Sequence, residues 1–190
     1  GSYGTGKSCF LLALEKDLQS KGQHNLINPQ TLSSCKKYEV LKIVGDYKDL
    51  ASLMRNKLAI DGTSDNVLDE LRNRYNQAKK RGSFLIIFID EFGKVLEHAA
   101  KNDPEQELYF MQKLAEFVNV PNRQILLVTT LHQNFSAYAR KLSIVQKEEW
   151  NKVKGRFKEL VFIEPVEQLL YLASKQNGSC KDLGDNETVL

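Results

Sequence analysis

The chain opens on Gly1-Ser2-Tyr3-Gly4-Thr5-Gly6-Lys7-Ser8, which matches G-x-x-x-x-G-K-[ST] at every fixed position. In such a loop the glycines let backbone N–H groups curl around a β-phosphate without Cβ clashes. The helix that follows presents its positive dipole end to the same anion. Lys7 is then placed to reach the β- and γ-phosphate oxygens, and the Ser8 hydroxyl to ligate Mg²⁺. Gly1 through Ser8, together with Cys9, are the candidate phosphate-binding residues; Cys9 has an alternative role as a small helix-packing side chain. The implied ligand is a nucleoside triphosphate with Mg²⁺. A phosphate loop reads phosphates and leaves the base open.

A second acidic feature fits the same chemistry. The apolar run Ser83-Phe84-Leu85-Ile86-Ile87-Phe88-Ile89 stops abruptly at Asp90-Glu91. Mg²⁺ is a hard cation that keeps several waters, so a carboxylate at a rigid strand tip can hold it through its hydration shell, and Asp90 suits that role. Glu91 points elsewhere and can take a proton from water attacking the γ-phosphate. The alternative is an acidic pair that merely ends a strand or caps the next helix.

These residues need elements to hold them. Residues 7–21 read as a helix with Phe10, Leu11, Leu12, Leu14 and Leu18 largely on one side. Residues 22–37 are polar and read as a loop, and residues 38–44 as a strand ending at Gly45. Helices are expected near 47–59 and 64–80, the second capped by Ser64 or Asp65. The run 83–89 lacks alternation, as a strand buried on both faces requires. A helix should follow over 92–100, then another opened by Asp103 as N-cap, Pro104 at N1 and Gln106 reaching back. Residues 124–130 form a second expected strand of the buried type. A long polar helical region spans 134–158, broken near Gly155. A short strand over 160–163 and a helix over 166–175 end the core, and 176–190 reads as a polar linker or tail. Strands alternating with helices predict an α/β three-layer sandwich with a mostly parallel central sheet. A phosphate loop normally follows a buried strand, so the first strand is expected to be missing from this fragment.

The order of phosphate loop, strand, apolar strand with Asp-Glu and strand with a polar tip resembles the additional-strand P-loop ATPases, most of all the AAA+ superfamily. The resemblance implies ATP as the nucleotide, and a polar residue at the tip of the strand beside the Asp-Glu strand that senses the γ-phosphate. That position falls on Thr129 or Thr130, with His132 and Gln133 as alternatives. It also implies a role for Gly155-Arg156-Phe157: in this family an arginine at this place acts in trans on a neighbour's γ-phosphate. The alternative is one more charge on a solvated helix end beside Lys152, Lys154 and Lys158. The stretch from Leu131 through Trp150 to Pro165 is similar to ATPase modules of large multidomain bacterial proteins, some tied to phage defence. A helical lid after residue 175 and a second sensor arginine, both family features, are not recognisable.

Composition sets outer bounds. A net charge of +3 is too slight to indicate nucleic acid as partner. The three cysteines, Cys9, Cys35 and Cys180, lack metal or disulfide spacing, which suits a reduced, cytoplasmic setting. No apolar stretch approaches the roughly 20 residues of a membrane span. An Asn-Lys-x-Asp guanine-reading motif and an LSGGQ-like signature are both missing, which disfavours GTP switches and ABC transporters. The expected function is ATP hydrolysis driving conformational change, with self-association or other domains of a parent chain as partners. A nucleotide-gated switch with little turnover and a small-molecule kinase remain open.

Overall fold

The computed structural model describes residues 6–20 and 37–161. Its centre is the apolar run, which forms β2 (Ser83–Asp90) between β1 (Lys37–Val44) and β3 (Ile125–Thr129). All pairing is parallel, with Val44 opposite Asp90 and Ile89 opposite Thr129, so the three strands end at one edge. Ile86, Ile87, Phe88 and Ile89 are at most 3% exposed. The middle strand of a parallel sheet is covered on both faces, which explains the unbroken apolar run.

Parallel pairing demands crossovers, and helices supply them. Between β1 and β2 run α2 (Leu50–Leu58) and α3 (Ser64–Lys80); between β2 and β3 run α4 (Phe92–Lys101) and α5 (Pro104–Val118). These helices pack their apolar sides on Leu41, Ile43, Leu85, Ile87, Ile89 and Ile125. On the opposite face, Leu11 and Leu18 of α1 (Lys7–Gln19) pack on Ile86 and Phe88. The described fold is therefore an α/β structure with a three-stranded, all-parallel open sheet flanked by helices, an arrangement compatible with a three-layer sandwich. No helix among the described residues is long and apolar enough to cross a membrane.

Several sequence expectations need correction. The cap of α3 is Thr63, whose N–H donates to Asn66 Oδ1 at 2.8 Å, and not Ser64 or Asp65. In α1, Leu12 is 52% exposed, off the packed side. In β3, Leu126 is 43% exposed, so this strand is not buried on both faces as its apolar run suggested. The region 134–158 is not one helix. A short α6 (Phe135–Tyr138) and α7 (Ile144–Lys154) are separated at Ser143, which caps α7 reciprocally with Gln146. A Ser-x-x-Gln capping box offers orphan N–H groups their partners and so starts a new helix where the pattern looked continuous. Leu160 and Val161 are irregular. The expected remainder of the 160–163 strand, the 166–175 helix and the tail lie outside the described residues.

Candidate functional site

Two separately recognised motifs meet at the ends of the strands. Gly6 precedes α1 in the left-handed region (φ 77°), a conformation glycine adopts without strain, and its carbonyl accepts the Phe10 N–H at 2.8 Å. This starts α1 at Lys7 and brings Ser8 to the tip of β2, near enough for its hydroxyl to favour the charged Asp90 carboxylate. Lys7 is half-buried; Ser8 and Cys9 are exposed. Gly1, Ser2, Tyr3, Gly4 and Thr5 lie outside the described residues.

The strand after α5 contributes the next member. Thr130, just past β3, donates its hydroxyl to Asp90 Oδ1 at 2.5 Å and accepts the Glu91 N–H on the same oxygen at 3.0 Å. Of the two threonines proposed as polar tip, the geometry joins Thr130 to the acidic pair, whereas Thr129 is the last residue of β3. Backbone bonds extend the link: Thr130 N–H to Ile89 O at 3.1 Å, and Phe92 N–H to Thr130 O at 3.0 Å. Asp90 also accepts the Glu91 N–H at 3.0 Å. Burial pushes the Asp90 carboxyl up, but the bonds from Ser8, Thr130 and Glu91 N–H, aided by nearby His132, outweigh it and leave it below the usual carboxylate range.

Glu91 caps α4 in the left-handed conformation, φ 56° and ψ 31°. For a non-glycine residue this costs on the order of 1–2 kcal/mol, so surrounding bonds must impose it. They do so on three sides. Thr130 holds the N–H, Lys94 N–H donates to the Glu91 carbonyl at 3.1 Å, and Gly45 backs the corner. Gly45 N–H donates to Asp90 O at 2.7 Å, and a Cβ at Gly45 would overlap the Glu91 backbone carbonyl. The turn aims the Glu91 carboxylate at Lys94 Nζ, 3.0 Å away, and His132 Nε2, 3.4 Å away. The bond from Lys94 chiefly, against partial burial and with help from His132, holds the Glu91 carboxyl below its ordinary value.

Ser8 and Asp90 place two hard oxygen donors side by side, which fits a cation that takes its other ligands from phosphate and water. Among the described residues no three His, Cys, Asp or Glu side chains converge as a metal cage. Arg156 is elsewhere. Its guanidinium donates to Glu116 Oε1 of α5 and to Lys152 O, each at 2.7 Å. Gln133 is exposed, and Asn134 caps α6 by accepting the Ala137 N–H.

Sequence reasoning missed Lys94 and Gly45 as parts of the site. Lys94 carried a usable signal, lying one helical turn after Glu91. Gly45 was read only as a strand end, and its approach to the Asp90-Glu91 backbone depends on the β1–β2 register. Neither a family model nor a curated protein matches this chain.

Proposed function

We propose that this chain is a P-loop ATPase module, most like the AAA+ type, which hydrolyses ATP with Mg²⁺ in the cytoplasm to drive conformational change. The observation that carries the reading is the string Asp90–Thr130–Glu91, in which carboxylate, hydroxyl and backbone N–H are bonded in turn, with the Ser8 hydroxyl beside the Asp90 carboxylate. Such a string joins the phosphate loop to the acidic strand tip, as a hydrolytic phosphate site requires. Bound Mg²⁺ would supply charge neutralisation at the β- and γ-phosphates, held by Ser8 and Asp90. Lys7 adds a positive charge to the same oxygens. Thr130 fixes Asp90 and the Glu91 backbone, and stands where a γ-phosphate can be sensed. Glu91 orients and deprotonates the attacking water. Arg156 serves as the candidate cation for a neighbouring copy's phosphate.

Lys7→Ala should abolish nucleotide binding, measured by titration calorimetry with a non-hydrolysable ATP analogue; unchanged affinity would sink the proposal. Glu91→Gln should retain binding and stop phosphate release. Full residual turnover would remove Glu91 from its role.

A second reading, a nucleotide-gated switch with little turnover, is favoured by one observation: the Glu91 carboxylate is ion-paired with Lys94, which makes it a weaker base toward water. Steady-state phosphate release by the wild-type chain separates the two readings.

A further inference from the structure

Each of two charged residues is followed by a phenylalanine, and the two rings meet. Phe92 follows Glu91 and is 1% exposed; Phe157 follows Arg156 and packs on the main core. Their centroids are 6.2 Å apart at 33°. Phe135 completes the contact, stacked on Phe157 at 5.8 Å and 28° and lying 5.4 Å from Trp150. Polar bonds pin this aromatic block. Trp150 Nε1–H donates to Phe135 O at 3.0 Å, and Phe135 N–H donates to Glu159 Oε1 at 3.0 Å.

The turn at 155–157 is also tied from outside. Arg156 clasps Glu116, and Asn119 Nδ2 donates to the Arg156 carbonyl at 2.8 Å, so two residues of the α5 end hold it. Close-packed rings cannot absorb a shift on one side without moving on the other. Phe92 is the neighbour of a residue in a strained left-handed conformation, and its own N–H is bonded to Thr130 O. Displacing its ring therefore turns the Glu91 corner.

We infer that Phe157 is a positioning residue for Glu91: it acts through Phe92, and the turn at 155–157, latched to Glu116 by Arg156, is the handle that sets where the Glu91 carboxylate lies. The inference rests on the hydrolytic reading above. It adds that a group drawing Arg156 away from Glu116 changes turnover without touching nucleotide affinity.

The test uses the full chain with Phe157→Leu, which keeps an apolar side chain in the core, and Glu116→Gln, which weakens the latch at the surface. Phe157→Leu is expected to lower kcat by about tenfold with KM unchanged, as a small misplacement of a catalytic group does. Glu116→Gln is expected to shift kcat by about threefold, again at constant KM. A Phe157→Leu enzyme with wild-type kcat, or one whose KM rises as kcat falls, overturns the inference. If the wild-type chain binds nucleotide and releases no phosphate, the hydrolytic reading fails by itself. The coupling is then read from Trp150, the only tryptophan of the chain. Emission that changes on adding the ATP analogue to wild type but not to Phe157→Leu supports it; the same change in both, or none in wild type, overturns it.

Discussion

Thr130 carries more of the candidate site than its single hydroxyl suggests. One proton goes to Asp90 and one lone pair takes the Glu91 N–H, so both acidic residues are oriented by the same oxygen. Thr130→Val keeps the shape and removes both bonds. It takes one donor from a half-buried carboxylate and leaves the Glu91 N–H to Asp90 Oδ1 alone, at a cost of about 1–3 kcal/mol. The Asp90 carboxyl should then titrate higher, since a bond that favours its charged form is gone. Phosphate release should fall about 10- to 100-fold, while Thr130→Ser restores most of it. Equal rates for Val and Ser would show that the hydroxyl has no part in turnover. The residue types of this cluster were readable beforehand, because each motif is local in the chain. What joins them was not: the Thr130–Asp90 bond spans forty positions and depends on strand register. Ser8 likewise reaches Asp90 only because α1 and β2 are packed together.

Among the elements, those whose pattern has a single physical cause were the most legible. The unbroken apolar run of β2 follows from burial on both faces, and Asp103 with Pro104 opens α5 as their types predict, the Asp103 carboxylate accepting the Gln106 N–H at 3.2 Å. The 134–158 region was misread because Ser143 and Gln146 look like ordinary surface residues until their reciprocal cap is seen. A contact between elements that pattern alone would not reveal is Glu107 of α5, which accepts the Leu50 N–H at the start of α2 at 3.3 Å. Burial, reinforced by the Asp49 and Asp103 carboxylates and opposed by the Leu50 N–H, raises its carboxyl from 4.5 to about 7. The folded protein thus binds this proton more tightly than the unfolded chain. Stability from this group is fully present below about 4.5 and is lost as pH rises to about 7. Glu107→Gln keeps an acceptor for Leu50 and removes the charge. It should come closer to wild type at pH 5 than at pH 8, where it should exceed wild type by about 1–2 kcal/mol, a figure reduced for partial exposure. Urea midpoints at the two pH values check this; an identical difference at both would exclude Glu107 as the cause.

At the scale of the molecule, the proposed ligand would bridge two layers. Among the described residues α1 alone packs on its face of the sheet, through Leu11 and Leu18 against Ile86 and Phe88, and its outer side leaves Leu12 and Phe10 exposed. Nucleotide with Mg²⁺ would bind Lys7 and Ser8 at the start of α1 and Asp90 at the tip of β2 together, so its binding energy adds to that contact. A saturating ATP analogue at about 100 times its Kd stabilises the folded state by about 2.7 kcal/mol. For a chain of this size that is a rise in Tm of roughly 5–10 °C. Amide exchange in α1 should slow in parallel, while α5 exchanges as before. Lys7→Ala should unfold near the wild-type temperature without ligand and show no rise with it. Chelating Mg²⁺ should remove part of the wild-type rise, because Ser8 and Asp90 then lose the cation that links them to phosphate. A Tm rise without any slowing in α1 would place the nucleotide elsewhere on the molecule.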